Sequence, residues 1–266
     1  MKIGFIGTGN MGMAIINGCL ASDKGMAEKI YATDINPEQL NNNVSKLGIH
    51  LCQSNAELVN SSDVIILAVT PNVYDLVLNE IKNLVTDKHI VVSIAAGISI
   101  SEMENVLNKS VKVVRTMPNT PAMVNEGITA VSRNVNVTDD EFEIILQIFR
   151  GIGKVESIDE ELMDVIPGIS GSSPAYVYMF IEALADGAVL HGMPREQAYR
   201  FASQAILGSA KMVLESGFHP GYLKDMVCSP GGVTIEAVKS LESNRFRHAV
   251  IEAVDVCTYK SRKMSQ

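Results

Sequence analysis

Up to residue 160 the apolar residues come in short, almost unbroken runs; beyond it they recur at helical spacing. The runs are Lys2–Ile6, Lys29–Thr33, His50–Cys52, Val64–Val69, Ile90–Ile94, Val111–Thr116, Ile128–Ser132 and Lys154–Ile158. Several are nearly all apolar, as strands covered on both faces should be. The segments between them have helical character, as in Pro37–Leu47 and Asn72–Leu84. Asp139–Arg150 sets Phe142, Ile145, Leu146 and Phe149 on one face. Strand and helix in alternation predict a mostly parallel sheet flanked by helices.

The second part, 161–266, is rich in Ala, Met and Leu and reads as all-α. Ser173-Pro174 offers an N-cap followed by proline at the first helical position. The helix that follows runs to Leu190 and is apolar nearly all round, with Glu182 and Asp186 as its charges. A helix without a polar face needs burial on every side. The rest of this short region cannot provide that, so a second copy of the chain is expected to cover part of it. Gly192-Met193-Pro194 breaks the pattern, and a second helix runs to about Ser216. His219-Pro220-Gly221 reads as a turn and Ser229-Pro230-Gly231-Gly232 as a tight loop. Helices over Thr234–Leu241 and Arg245–Lys263 complete the chain.

The sequence GTGNMG at residues 7–12 leaves the first strand and opens a helix. In that setting Gly7 permits a tight turn, Gly9 lets backbone approach a pyrophosphate, and Gly12 lets helix and strand pack closely. The free N–H groups of the helix start then face the phosphates. This is the fingerprint of a Rossmann-type dinucleotide-binding domain, here residues 1–160, and Ile6, Gly7, Thr8, Gly9, Asn10 and Met11 are its expected contacts. Asp34 follows the loop by about 20 residues, at the end of the second strand, where a carboxylate accepts from the adenosine ribose hydroxyls and repels a 2′-phosphate. No Lys or Arg follows closely. Local chemistry thus favours NADH over NADPH; Asp34 as a simple turn or helix cap is the competing reading. Three loops at successive strand ends add rigid, small-residue backbone suited to a nicotinamide ring: Ala68-Val69-Thr70-Pro71, Ala95-Ala96-Gly97 and Met117-Pro118-Asn119-Thr120-Pro121.

Composition narrows the picture. The net charge is −8, from 22 basic and 30 acidic residues, which argues against nucleic acid as a partner. No apolar run has the length of a membrane span. Glycines 4, 7, 9 and 12 interrupt what would be a secretion signal, so a cytoplasmic location is expected. Cys19, Cys52, Cys228 and Cys257 lack metal-ligand spacing and read as reduced packing residues.

None of His50, His89, His191, His219 and His248 has an acid partner by sequence. A ketone reductase needs a proton donor for the developing alkoxide. A protonated imine does not, because its nitrogen already carries the proton. The stretch Ser229, Gly231, Gly232, Val233 and Thr234 is a small-residue loop entering a helix, either a pocket for a substrate carboxylate or a plain helix cap.

The segment from Leu223 to Glu242 resembles the C-terminal motif of the pyrroline-5-carboxylate reductase family. Gly168–Tyr176, the Met117–Pro121 loop and the N-terminal FIGTGNMG are similar as well, so the resemblance spans the whole chain. It implies reduction of the cyclic imine 1-pyrroline-5-carboxylate to L-proline by NADPH or NADH. It implies that Ser229 and the amides of Gly232, Val233 and Thr234 hold the substrate carboxylate, while the Thr234 hydroxyl bonds the ring nitrogen. Asn55 would touch the adenosine ribose, Asn119 would lie near the nicotinamide, and Glu160 near the substrate. It further implies a dimer interlocked through the C-terminal helices, with an active site shared between chains, and in many members a decamer. Family habit leans to NADPH, against Asp34. Two departures stand out: Thr70 occupies a position where many members carry lysine, and Ser173 one where many carry glycine. A β-hydroxyacid dehydrogenase would need a lysine after the glycine-rich stretch, and none follows Pro174 before Lys211. A non-catalytic dinucleotide-binding regulator would not need the intact 229–234 loop.

Overall fold

The computed structural model describes residues 1–44 and 46–264, the side chain of Gln39 excepted. The elements follow as β1 (Ile3–Ile6), α1 (Asn10–Ser22), β2 (Ile30–Thr33), α2 (Pro37–Val44), β3 (His50–Leu51), α3 (Asn55–Ser61), β4 (Val64–Leu67) and α4 (Pro71–Ile81). Then come β5 (Ile90–Ser93), α5 (Ile100–Leu107), β6 (Lys112–Met117), β7 (Gly127–Arg133), α6 (Asp139–Arg150) and β8 (Gly153–Ser157). All eight expected strands form, in one sheet of order β3-β2-β1-β4-β5-β6-β7-β8. Every neighbouring pair is parallel except β6 and β7. Those two are joined by a short 3-10 turn, Thr120–Val124, which ends on Asn125 in the left-handed region. So short a link can reverse the chain but cannot make a crossover.

The unbroken apolar runs have a simple cause. Alternate residues of one strand feed two separate cores. Val64 and Ile66 join Phe5, Ile15, Ile16, Ile145 and Phe149 on one face. Ile65 and Leu67 join Leu58, Tyr74, Leu78, Ile81 and Met103 on the other. Neither face meets water, so no polar alternation survives.

Helix starts are capped as their sequences dictate. Ser99 and Glu102 form a capping box on α5, and Thr138 and Glu141 form one on α6. The Ser54 hydroxyl accepts from Glu57 N on α3. Helices α3 and α5 both carry the Ser-x-x-Glu signal in sequence, at Ser54–Glu57 and Ser99–Glu102.

The chain divides into two compact units. The first is residues 1–172 with 256 onward; the second is Ser173–Asp255. Residue 160, the expected boundary, falls inside the first unit, because 160–172 is bound to the sheet. The buried Arg115 of β6 holds Asp164 at 2.7 Å and Glu160 at 3.5 Å. Asn119 Nδ2 donates to Ser170 O at 3.1 Å.

The second unit holds α7 (Ser173–Leu190), α8 (Arg195–Ser216), α9 (Pro220–Val227), α10 (Val233–Ser243) and the start of α11 (Phe246–Met264). The turn expected at His219–Gly221 is the start of α9: His219 is its N-cap, and its Nδ1 accepts from Gly221 N at 3.0 Å. Proline at the first helical position favours a helix as much as a turn. Of α7 only Ala185 is buried within the single chain, while Tyr178, Met179, Leu184 and Leu190 are exposed. Among the described residues no helix is long and apolar enough to cross a membrane.

Candidate active site

At the end of β1 the backbone does what the glycine pattern requires. Gly7 has φ +101°, and a Cβ there would lie 2.4 Å from Ala68 O. A Cβ on Gly12 would lie 2.5 Å from Gly7 O, so α1 starts hard against the loop. A Cβ on Gly9 would meet nothing within 4 Å. Two glycines are therefore demanded by packing, whereas Gly9 borders open space beside the start of α1. That end carries no side-chain cap and no acid in its first turn. Uncapped N–H donors and the positive end of a helix facing open space suit a pyrophosphate, so these residues fit a bound dinucleotide. Ile6 and Thr8 are buried, Met11 is half-buried and Asn10 is exposed at the helix start.

Asp34 directly follows β2 and is engaged with the glycine loop. Its Oδ2 accepts from Thr8 N at 2.7 Å and from Thr8 Oγ1 at 2.9 Å; its Oδ1 accepts from Asn36 N at 3.0 Å. Asn43 of α2 donates to Thr8 O at 2.8 Å, closing the clamp from the other side. Beside it Ile35 is 95% exposed, an apolar side chain in a polar turn and suited to the flat face of an adenine. Its sequence signal is that mismatch with its neighbours.

Strand order aligns the other loops along the same sheet edge. The strand order reverses between β1 and β4, and such a reversal opens the crevice in which parallel sheets bind ligands. Ala68 N donates to Ile6 O at 2.8 Å, which seats Ala68–Pro71 against the glycine turn. Thr70 caps α4 with Pro71 at its first position, and its hydroxyl donates to Asn72 Oδ1. Asn55 opens α3, and its amide donates to Glu80 Oε2 at 2.8 Å. After β5, Gly97 is buried at φ +77°, and a Cβ there would lie 2.8 Å from Met264 Cβ. The end of α11 thus closes over the Ala95-Ala96-Gly97 loop.

Two residues expected at the site have internal partners. Asn119 accepts from Ile128 N at 2.9 Å and donates to Ser170 O, so its side chain ties the Met117–Pro121 loop to β7 and to the π-turn Pro167–Gly171. Glu160 accepts from Ile100 N at 2.6 Å and faces Arg115. Arg115, buried in β6, is central to this network, and its position in an apolar run gives no sequence signal of that role.

In the helical unit α10 begins at Val233 after Gly232, with no side-chain cap. Gly232 N donates to Ser229 O at 3.0 Å, so that amide closes the loop rather than facing a ligand. The amides of Val233 and Thr234 are the first-turn donors left beside the Ser229 hydroxyl. Gly231 adopts φ +67°, and a Cβ on Gly232 would lie 2.3 Å from Ser229 Oγ. Gly232→Ala should therefore push the Ser229 hydroxyl out of place; if that hydroxyl binds a charged substrate group, KM should rise about tenfold, the loss of one such hydrogen bond. Steady-state kinetics with an unchanged melting curve would check it.

The histidines have structural or surface roles. His50 stacks on Tyr31, His89 Nδ1 accepts from Thr86 N, His219 caps α9, His191 is exposed, and His248 lies 3.7 Å from Glu252 on the surface of α11. All four cysteines are free thiols. Burial pushes Cys19 up to about 12 and Cys52 up to about 11, which keeps both protonated at neutral pH.

Comparison with known proteins agrees along the whole chain. A family model for pyrroline-5-carboxylate reductase dimerisation matches residues 160–264, and one for NADP oxidoreductase, coenzyme F420-dependent, matches residues 2–97. The pyrroline-5-carboxylate reductase of Escherichia coli K12 is 50% identical, covering 100% of this chain and 98% of its own. That of Methanosarcina acetivorans is 43% identical with the same coverage. The solved structure from Coxiella burnetii superposes with TM-score 0.92 at 34% identity, covering 100% of this chain and 98% of that one. The Plasmodium falciparum enzyme with NADP bound gives 0.89 at 34% identity and the same coverage.

Proposed function

We infer, from the pyrroline-5-carboxylate reductase family to which this chain belongs, that it reduces 1-pyrroline-5-carboxylate to L-proline with NAD(P)H, the last step of proline biosynthesis. The bound nicotinamide supplies hydride to C5 of the protonated imine. The protein's own work is to bind, orient and fix charge. The observation that carries this reading is the start of α10, which has no side-chain cap and lies beside the Ser229 hydroxyl, so its first-turn amides are suited to a carboxylate. Thr234 Oγ1 orients the ring nitrogen. No general acid is called for, because the imine arrives protonated and is neutralised by reduction.

The loops after β1, β2, β4 and β5 would hold the coenzyme, with Asp34 reading the adenosine ribose. The fixed carboxylate of Asp34 favours NADH, since a 2′-phosphate would meet a like charge. Asn119 and Glu160 act from behind the site, holding the 117–121 and 160–172 segments. The exposed apolar faces of α7 and α8 support pairing of two copies through the helical unit.

The test is oxidation of NADH and of NADPH by the purified protein with pyrroline-5-carboxylate. Substrate-dependent oxidation is expected, faster with NADH. In Asp34→Ser the NADH-to-NADPH ratio of kcat/KM should fall about tenfold, as removal of a charged ribose contact predicts. Oxidation independent of the imine, or none, would overturn the reading.

A further inference from the structure

We propose that the Thr8 hydroxyl is a specificity-positioning group: it holds the Asp34 carboxylate in the one pose that excludes a 2′-phosphate. The proposal rests on the reading that the adenosine ribose lies at Asp34.

Thr8 sits inside the glycine loop, between the turn glycine Gly7 and the open edge at Gly9, and is fully buried. Its hydroxyl and its backbone N–H both donate to the same oxygen, Asp34 Oδ2. Asn36 N takes a place on Oδ1. A carboxylate has about four acceptor sites, and three are filled by protein. What remains suits a ribose hydroxyl donor, not a phosphate. To admit a 2′-phosphate the carboxylate would have to swing away. That motion would break both hydrogen bonds that the buried Thr8 makes to the carboxylate, a cost a phosphate does not repay. The loop cannot follow the carboxylate either, because Asn43 Nδ2 binds Thr8 O from α2 and Gly7 N donates to Thr33 O at 2.9 Å. The ribose-reading acid and the pyrophosphate loop thus form one rigid body. Coenzyme choice is set by Asp34 and enforced by Thr8.

The experiment compares Thr8→Val, Thr8→Ser and Asp34→Ser in the full chain, each assayed with NADH and NADPH after a thermal melt. Thr8→Val keeps the shape and the backbone donor and removes the hydroxyl. The NADH-to-NADPH ratio of kcat/KM should fall about fivefold, one ordinary hydrogen bond's worth, through a higher KM for NADH and a lower one for NADPH. Thr8→Ser restores the hydroxyl and should restore the ratio. A Thr8→Val ratio within about twofold of the parent, while Asp34→Ser shifts it, would overturn the role of Thr8 alone. A ratio unmoved in Asp34→Ser as well would remove the ribose reading and the proposal together. A fall in Thr8→Val that Thr8→Ser does not reverse would assign the effect to loop packing and also overturn it.

Discussion

Thr234→Ala is expected to lower kcat about a hundredfold, the size of effect seen when one oriented donor at a reacting centre is removed. Thr234 lies in the first turn of α10, which has no side-chain cap, and is only partly buried. On the proposed reading, removing its hydroxyl leaves Ser229 and the Val233 amide to hold the carboxylate, so the substrate should still bind while its ring is free to tilt. The loss should appear mainly in kcat, with a much smaller change in KM. Alanine is a good helix former, and no core contact is lost, so stability should stay within about 0.5 kcal/mol. Steady-state kinetics beside a denaturation curve separate the two. Parent-like turnover would remove Thr234 from the mechanism.

Arg115→Met should cost about 3 kcal/mol of stability. Arg115 is 4% exposed, and its guanidinium lies 2.7 Å from Asp164 and 3.5 Å from Glu160. Taking one partner from a buried charge group strands the others, which costs about 3–5 kcal/mol. The low end applies here because both carboxylates keep some contact with water. The damage should concentrate in 160–172, which these bonds fasten to β6. A drop in the urea midpoint at unchanged slope would register it. Asp164→Asn, which leaves Glu160 and a neutral acceptor, should cost clearly less. A loss under about 1 kcal/mol in Arg115→Met would mean that water already shares the pair.

Much of the sheet was legible because burial on both faces leaves a mark that needs no partner. A run such as Val64–Val69 must be a covered strand wherever it lies. The glycine loop was legible for a similar reason: a tight turn and a close helix admit nothing larger at Gly7 and Gly12. The loops of the site were less so. Only the family resemblance pointed to Asn119 and Glu160 as ligand contacts. Their partners, Ser170, Ile128, Ile100 and Arg115, are distant in sequence and become neighbours only when the sheet forms. Arg115 drew no attention in a strand, since a charge among valines signals nothing until the acids that neutralise it are in view. Gly232 was read as a carboxylate donor, but a backbone bond to Ser229 O within its own loop claims it, and that is a matter of turn geometry.

The kind of reaction came from the resemblance of the 223–242 motif to a known family; by itself the sequence determined the alternating α/β order, the glycine loop that opens α1 and the small-residue loop that opens α10. Each of these follows from local rules: periodicity, backbone freedom at glycine, the free donors of a helix start. Tertiary structure alone decided the strand order that gathers the loops of β1, β2, β4 and β5 on one edge. It alone decided the antiparallel turn-back of β7 and the capture of 160–172 by Arg115. It also changed what Asp34 is. In the sequence it is an acid at the right distance to read a ribose; in the fold it is one half of a clamp with Thr8, because residues far apart along the chain share one carboxylate oxygen.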